Sequence, residues 1–335
     1  MTDPLDIHAA VVVSPAKGPL CDVAQDILAE KAFFKRHPTL IGHDGLNQTC
    51  GFVESCMHEN DPAARLIQLF CATYDQMSEA LTAMAPLHLH LSLPRWVNEI
   101  PDLKERFDRD LRSIDFPKIS GITPYYGGST AGIRAFRGAQ TAIQGQQPDA
   151  VLVGGIDTMV TPTILDARAL AGLANTRSNS YGAIPGEAGA ILLVQRHQSK
   201  PTPPISRIFS VKTAQEPEDI TDPKRGLIGK GLKECVVDVL NDTPEHPPCS
   251  WLSDYNGDRY RAEELGFVIA NLGQPQLQEP ICPASSIGDI GAATVPVYAS
   301  LVPWVEPDPS DGVLITAGDP QGPRGSILCQ SLRSA

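Results

Sequence analysis

Short apolar runs alternate along this chain with longer segments whose apolar residues recur every third or fourth position. HAAVVVSPAKGP, near the N-terminus, is a run of branched aliphatic residues closed by a proline and a glycine, and predicts a first buried strand. DPAARLIQLFCATYDQMSEALTAM has a different period. Its Leu66, Leu69, Phe70, Tyr74, Met77 and Leu81 fall at helical spacing and predict an amphipathic helix. PLHLHLSLP alternates as a half-buried strand does, and KISGITPYY predicts another strand. YYGGSTAGIRAFRGAQTAIQG then turns on two glycines into a helix with Ile133, Phe136, Ala139 and Ile143 on one face. Ala131, Gly132, Ala135 and Gly138 keep that helix slim enough for other backbone to approach, and Gly145 is its stop. DAVLVGGID follows as a fully apolar strand ending in two glycines and an acid.

The second half of the chain repeats this plan. SSIGDIGAATVPVYASLV offers a glycine turn and a small-residue helical stretch, and DGVLITAGD (Asp311 to Asp319) matches DAVLVGGID (Asp149 to Asp157) in composition and ending. Ser129 precedes the first of these strands at nearly the spacing at which Asp289 precedes the second. Such repetition predicts two copies of a strand–helix–strand unit. The proline-rich SKPTPPISR is the seam, dividing the chain into 1–200 and 201–335. Two related sheets with the slim helices buried between them form a layered α/β arrangement. Facing helices of this kind would make Ser129 and Asp289 near neighbours.

Composition narrows the functional classes. The 335 residues are 42% hydrophobic and 20% charged, as in ordinary globular proteins. The net charge of -12 argues against nonspecific binding to nucleic acid or to an anionic membrane. No apolar stretch is long enough for a transmembrane helix, and MTDPLDIHAAVVV lacks the pattern of a secretory signal, so a cytoplasmic location is expected. Eight cysteines, at 21, 50, 56, 71, 235, 249, 282 and 329, form no C-x-x-C pair. They read as free thiols rather than as a metal site, and no metal or organic cofactor is expected.

QPDAVLVGGIDTM, followed by LDARALAGLANTRSNSYGAIPGEAGAILLVQR, resembles the β-ketoacyl-acyl-carrier-protein synthases of the thiolase superfamily. An apolar strand ending in G-G-x-D and a later P-G-E-G-A segment are matched by Gly154, Gly155, Asp157, Pro185, Gly186, Glu187 and Ala188. SSIGDIGAAT looks like that family's K-S-x-x-G-H-x-x-G-A-A-G, and SDYNGDRYRAEE like its H-G-T-G-T-x-x-G-D-x-x-E. The resemblance implies the five-layered α-β-α-β-α thiolase fold, whose internal duplication agrees with the repeat. It also implies a role in fatty acid or polyketide synthesis, an acyl carrier protein as partner, and a phosphopantetheine-linked acyl group as ligand. A homodimer, or a heterodimer with a ketosynthase-like subunit, is implied too, paired through the strand KISGITPYY.

The departures bear directly on chemistry. Ser129 stands at the family's cysteine, Asp254 and Asp289 at its two histidines, and Ser285 at its lysine. TAGDPQGPRGS replaces the family's G-F-G-G-T-N loop. The histidines, at 8, 37, 43, 58, 88, 90, 197 and 246, include none beyond 246, so no small shift of alignment restores either catalytic histidine. Gly128, Glu187, Asn256, Ser285 and Gly318 are the expected pocket or structural positions around Ser129, Asp254 and Asp289. A serine hydroxyl needs a positioned base, and carboxylates repel a developing oxyanion by about 4 kcal/mol at roughly 4 Å and an effective dielectric near 20. Two carboxylates in one pocket also raise one another's pKa, which leaves unusual acyl chemistry open.

Each residue has a plainer reading as well. Ser129 can cap the helix it precedes, Asp289 can cap the later helical stretch, and Asp254 can order an Asx-type turn. Glu187 is expected as a structural hydrogen-bonding group, Tyr125, Tyr126 and Tyr181 as core or interface packing, and Lys224 and Arg225 of DPKRG as a solvated loop rather than a phosphate contact. The expectation is a non-condensing ketosynthase-like accessory, adaptor or partner subunit. The alternative is an acyltransferase or thioesterase-like enzyme using Ser129 on an acyl thioester.

Overall fold

Where the sequence alternates or runs apolar, the backbone is extended. The described residues form eleven strands: β1 (Leu5–Val13), β2 (Lys35–Ile41), β3 (Asn47–Cys50), β4 (Leu87–Pro94), β5 (Ile119–Gly127), β6 (Ala150–Thr158), β7 (Glu187–Arg196), β8 (Ser206–Gln215), β9 (Pro248–Ser253), β10 (Gly312–Gly318) and β11 (Pro323–Ser331). Their helices are α1 (Leu20–Leu28), α2 (Pro62–Ala80), α3 (Trp96–Glu99), α4 (Leu103–Arg112), α5 (Thr130–Gln144), α6 (Pro162–Leu170), α7 (Lys230–Asp242), α8 (Arg259–Leu272), α9 (Ala284–Ile287) and α10 (Thr294–Leu301). This computed structural model describes residues 3–333 except 43, 146–147, 178, 198–202, 219–221, 223, 275–276, 278, 306–311 and 321. The division at residue 200 therefore lies outside the described residues.

Nine strands form one mixed sheet in the order β5-β4-β6-β7-β1-β8-β11-β10-β9, and β2 and β3 pair separately. The order shows the duplication. In the first half β5 and β4, and β4 and β6, pair parallel, while β6–β7 and β7–β1 pair antiparallel. In the second half β9–β10 is parallel, and β10–β11 and β11–β8 are antiparallel. The counterpart of β5 is reduced to a single parallel bridge between Leu252 and Ile281. A short antiparallel pairing of β1 with β8, Leu5 to Ile7 against Ser206 to Ile208, joins the halves.

Helices complete five layers. α2 covers the outer face of β1, β6 and β7, and α7 that of β8, β10 and β11. Between the sheet halves lie α5, which touches β4 to β7 on one side and β8, β10 and β11 on the other, and α10. Every residue of α10 is buried, and α5 buries its apolar face while Arg134, Arg137 and Thr141 are exposed. The glycines of α5 let the two helices meet closely. A Cβ on Gly132 would come within 2.6 Å of Pro296 Cδ and 2.7 Å of Val295 Cβ. At the outer α2, Asp61 accepts the Ala64 N–H at 2.9 Å and Pro62 opens the first turn, both strong helix-start signals.

Candidate functional site

The β5–α5 turn places Ser129 at the centre of the molecule, 1% exposed. Ser129 already has helical dihedrals and its hydroxyl caps nothing, contrary to the expected capping role. The cap comes from the opposite half of the chain. The Asp319 carboxylate, just after β10, accepts the Gly128 N–H at 3.1 Å, the Thr130 N–H at 3.2 Å and the Thr130 hydroxyl at 2.5 Å. A carboxylate there also meets the positive end of the helix dipole. With its N-terminal donors taken by Asp319, the helix has no need of the serine side chain.

Among the described residues the Ser129 hydroxyl has one hydrogen-bond partner, Arg261 Nη2 at 3.4 Å. Arg261 lies in the first turn of α8 and is the centre of the cluster. Its guanidinium forms an ion pair with Asp254, and its Nε donates to the Tyr260 hydroxyl at 3.0 Å. The same Asp254 carboxylate oxygen, Oδ2, also accepts the Gly318 N–H at 2.8 Å. Asp254 therefore faces a cation and a backbone donor and does not form the Asx turn expected of it. Asn256 does so instead, its Oδ1 accepting the Asp258 N–H at 3.1 Å. Burial pushes the Asp254 carboxyl up, against the pull of Arg261 and the Gly318 N–H, while Arg261 is held well above its usual range by Asp254, Tyr260, Asp289 and Asp258 despite burial.

Asp289 occupies the other side of Arg261. It accepts from Arg168 Nη2 at 2.8 Å, Asn256 Nδ2 at 2.9 Å and the Gly291 N–H at 3.1 Å. Burial would raise its pKa, but the charges of Arg168 and Arg261 and these hydrogen bonds outweigh it and hold the group below the usual carboxylate range. Asp289 thus orders the turn before α10. It does not cap α10 itself, which starts after Ala293 without a side-chain cap. The neighbouring Asp157 behaves oppositely. It is 2% exposed, and burial, reinforced by the charge of Asp289, pushes its pKa to about 8, although the Ala292 N–H (2.7 Å) favours ionisation.

The sequence-assigned positions therefore divide. Ser129, Gly128, Asp254, Asn256, Asp289 and Gly318 come together. Glu187 sits apart as the expected structural group: fully buried, paired with Arg65 at 2.6 and 2.7 Å, and accepting from Val53 N–H and the Thr158 hydroxyl. Ser285 does not reach the cluster. It is exposed and its hydroxyl bonds the Cys282 carbonyl at 2.7 Å. Tyr181 is 73% exposed, Arg225 pairs with Glu263, and Tyr125 is hydrogen-bonded to His90 at 2.9 Å. Sequence reasoning missed Arg261, Arg168 and Asp319. All three stand inside segments singled out for other residues; Asp319 and Arg168 are charges beside small and apolar residues, whereas Arg261, in DRYRAEE, carries no such mark.

Among the described residues no proton acceptor lies within hydrogen-bond distance of the Ser129 hydroxyl: its partner is an Arg261 N–H, which donates to it, and guanidinium cannot take a proton. Arg261 is suited to holding an anion, not to activating a hydroxyl. A cleft of about 420 Å³ borders the cluster on its Gly128, Arg168 and Asp319 side, but Ser129 does not line it.

No family model matches the sequence, and no curated protein matches it. Solved structures do. The chain is similar to AntDE:AntF, a type II polyketide-synthase acyl-carrier protein in complex with its ketosynthase bound to the hexaketide, with a TM-score of 0.78 and 12% identity over 99% of this chain and 100% of that one. It is similar to the ketosynthase from module 6 of the bacillaene synthase from Bacillus subtilis 168 (0.74, 14%, 99% of this chain and 73% of that). It is also similar to the ketosynthase ApeO in complex with its chain length factor ApeC from Xenorhabdus doucetiae (0.69, 16%, 98% of both chains). The fold is therefore the thiolase-like fold of the ketosynthases. On it, this chain carries a ketosynthase-like scaffold in which Ser129, Asp254 and Asp289 gather around Arg261.

Proposed function

We propose that this protein is a non-condensing ketosynthase-like subunit, cytoplasmic, that acts by binding a ketosynthase-like partner or an acyl carrier rather than by forming an acyl-enzyme. The observation that carries the reading is the environment of Ser129: a buried hydroxyl beside a permanent cation, with no base in reach. Nucleophilic catalysis by serine requires that base. The aspartates at the family's histidine positions are themselves occupied, Asp254 by Arg261 and Gly318, Asp289 by Arg168 and Asn256. Ketosynthase complexes with a chain length factor and with a carrier protein among the similar structures support the kind of partner. A phosphopantetheine-linked acyl group on such a carrier is the ligand this reading assigns, held without a covalent bond to the chain.

The test combines intact mass spectrometry and pull-down. Incubation with acyl-carrier and acyl-CoA thioesters is expected to leave the chain mass unchanged, and Ser129→Ala to recover the same ketosynthase or carrier partner as wild type. A Ser129-dependent acyl adduct or thioester turnover would overturn the reading in favour of an acyltransferase or thioesterase.

A further inference from the structure

Helix α6 stands beside the charged cluster and is lightly attached. Nine residues are too few for a helix that is stable by itself, so its position depends on what it touches. Its apolar attachment is Ile164 and Leu165, both buried, the latter in a cluster with Leu40, Phe52 and Val160. Its other side faces solvent, as far as Leu170 at its end, which is 77% exposed. Among the described residues, the ion pair of α6 is Arg168 with Asp289, at 2.8 Å. That pair lies between the cleft and Ser129. Arg168 lines the cleft, whereas neither Asp289 nor Ser129 does. Exposure falls from 18% for the Arg168 side chain to 7% for that of Asp289 and 1% for Ser129, and Arg261 joins the last two. Arg168 thus meets the cleft with one part of its side chain and the cluster with the other.

We infer that the Arg168–Asp289 ion pair is a latch: it holds α6 in place and closes the cleft off from Ser129, so that the two communicate only when Arg168 leaves Asp289. Both partners have somewhere to go when it does. Asp289 keeps the Asn256 Nδ2 and Gly291 N–H donors and the charge of Arg261. The released guanidinium finds the Glu99 and Asp319 carboxylates, which line the same cleft. Two alternative pairings of one cation make a two-state element, and the closed state is the one described above. The latch concerns access to Ser129 and not its reactivity. An acyl adduct on Ser129 would overturn the non-condensing reading and leave the latch standing, and the latch can fail with that reading intact.

Ser129→Cys makes access measurable in the full chain. The Arg261 cation beside that position favours the thiolate, the form that alkylates, so slow labelling there reports closure. Iodoacetamide labelling, followed peptide by peptide by mass spectrometry, is expected to be slow at position 129. Adding Arg168→Ala is expected to accelerate it by about 10- to 100-fold, the worth of one hydrogen bond between charged groups. Arg168→Lys keeps a cation for Asp289 and is expected to label more slowly than Arg168→Ala. Thr163→Trp, at an exposed position on the rim of the cleft, is expected to slow the accelerated reaction again, because the route runs through the cleft. Cys329, buried in the core, reports general loosening and is expected to stay unlabelled throughout. Fast labelling at 129 with Arg168 intact, no acceleration by Arg168→Ala, equal rates for the lysine and alanine variants, equal acceleration at Cys329, or indifference to Thr163→Trp would each overturn the latch.

Discussion

Asp157 and Asp289 show how neighbouring acids of one type acquire opposite character. Asp289 has two cations and two further donors and stays ionised, whereas Asp157 has one backbone N–H, near-complete burial and the charge of Asp289 beside it. The consequence for stability has a definite sign. With a folded pKa of about 8 against roughly 3.9 for an unfolded aspartate, the native state keeps a proton that the unfolded state has lost between about pH 4 and 8. The stabilisation from Asp157 is complete below that window and is lost as pH rises through it. The groups facing it are Asp289, which keeps its charge over this range, and Arg168. Asp157→Asn is expected to remove this slope, so that thermal melts of the variant gain on wild type steadily from pH 5 to pH 8. Parallel pH dependences would contradict the protonated assignment. The GGID motif marked Asp157 as a residue of interest in the sequence; its protonation state depends on Asp289, 132 positions away, and could not be read there.

At the scale of elements, α5 depends on contacts made by other parts of the chain. Its N-terminus is capped by Asp319 and not by Ser129. Asp319→Ala strands three donors and is expected to cost about 1–3 kcal/mol in denaturant unfolding, while Ser129→Ala, which removes one long hydrogen bond, is expected to cost less than about 1 kcal/mol. The reverse order would restore the serine as the cap. In the middle of the same helix two effects compete at Gly132. Alanine improves helix propensity by about 1 kcal/mol, yet its Cβ meets Pro296 and Val295 well inside contact distance. Overpacking of about 1–3 kcal/mol is the larger effect, so Gly132→Ala is expected to lower the unfolding midpoint. The slimness of this helix was legible in its run of alanines and glycines; the identity of the element it meets was not.

For the whole molecule, the repeat seen in DAVLVGGID and DGVLITAGD extends to strand order and direction in both halves, except that the second half keeps only the Leu252–Ile281 bridge where the first has β5. β5 is consequently a full-length sheet edge, paired among the described residues to β4 alone, with Ile119, Ile122 and Tyr126 half-buried beside a groove of about 520 Å³ against α4. An open nine-residue edge invites pairing with another chain. A dimer through β5, with a second copy or with a ketosynthase-like partner, is expected, and a single-chain mass by light scattering both alone and with such a partner would exclude it. The described helices include none long and apolar enough to cross a membrane. What the sequence by itself determined was local and periodic: where strands and slim helices form, and that two halves share a plan. Apolar spacing and glycine turns act over a few residues, so they are legible without a fold. Only the tertiary structure decided partnership. Thr130 meets Asp319 across 189 positions, Ser129 meets Arg261 across 132, and Arg168 meets Asp289 across 121. Those contacts determine whether the hydroxyl has a base, whether each acid is charged and what caps the helix, because electrostatics and hydrogen bonding act through space and not along the chain.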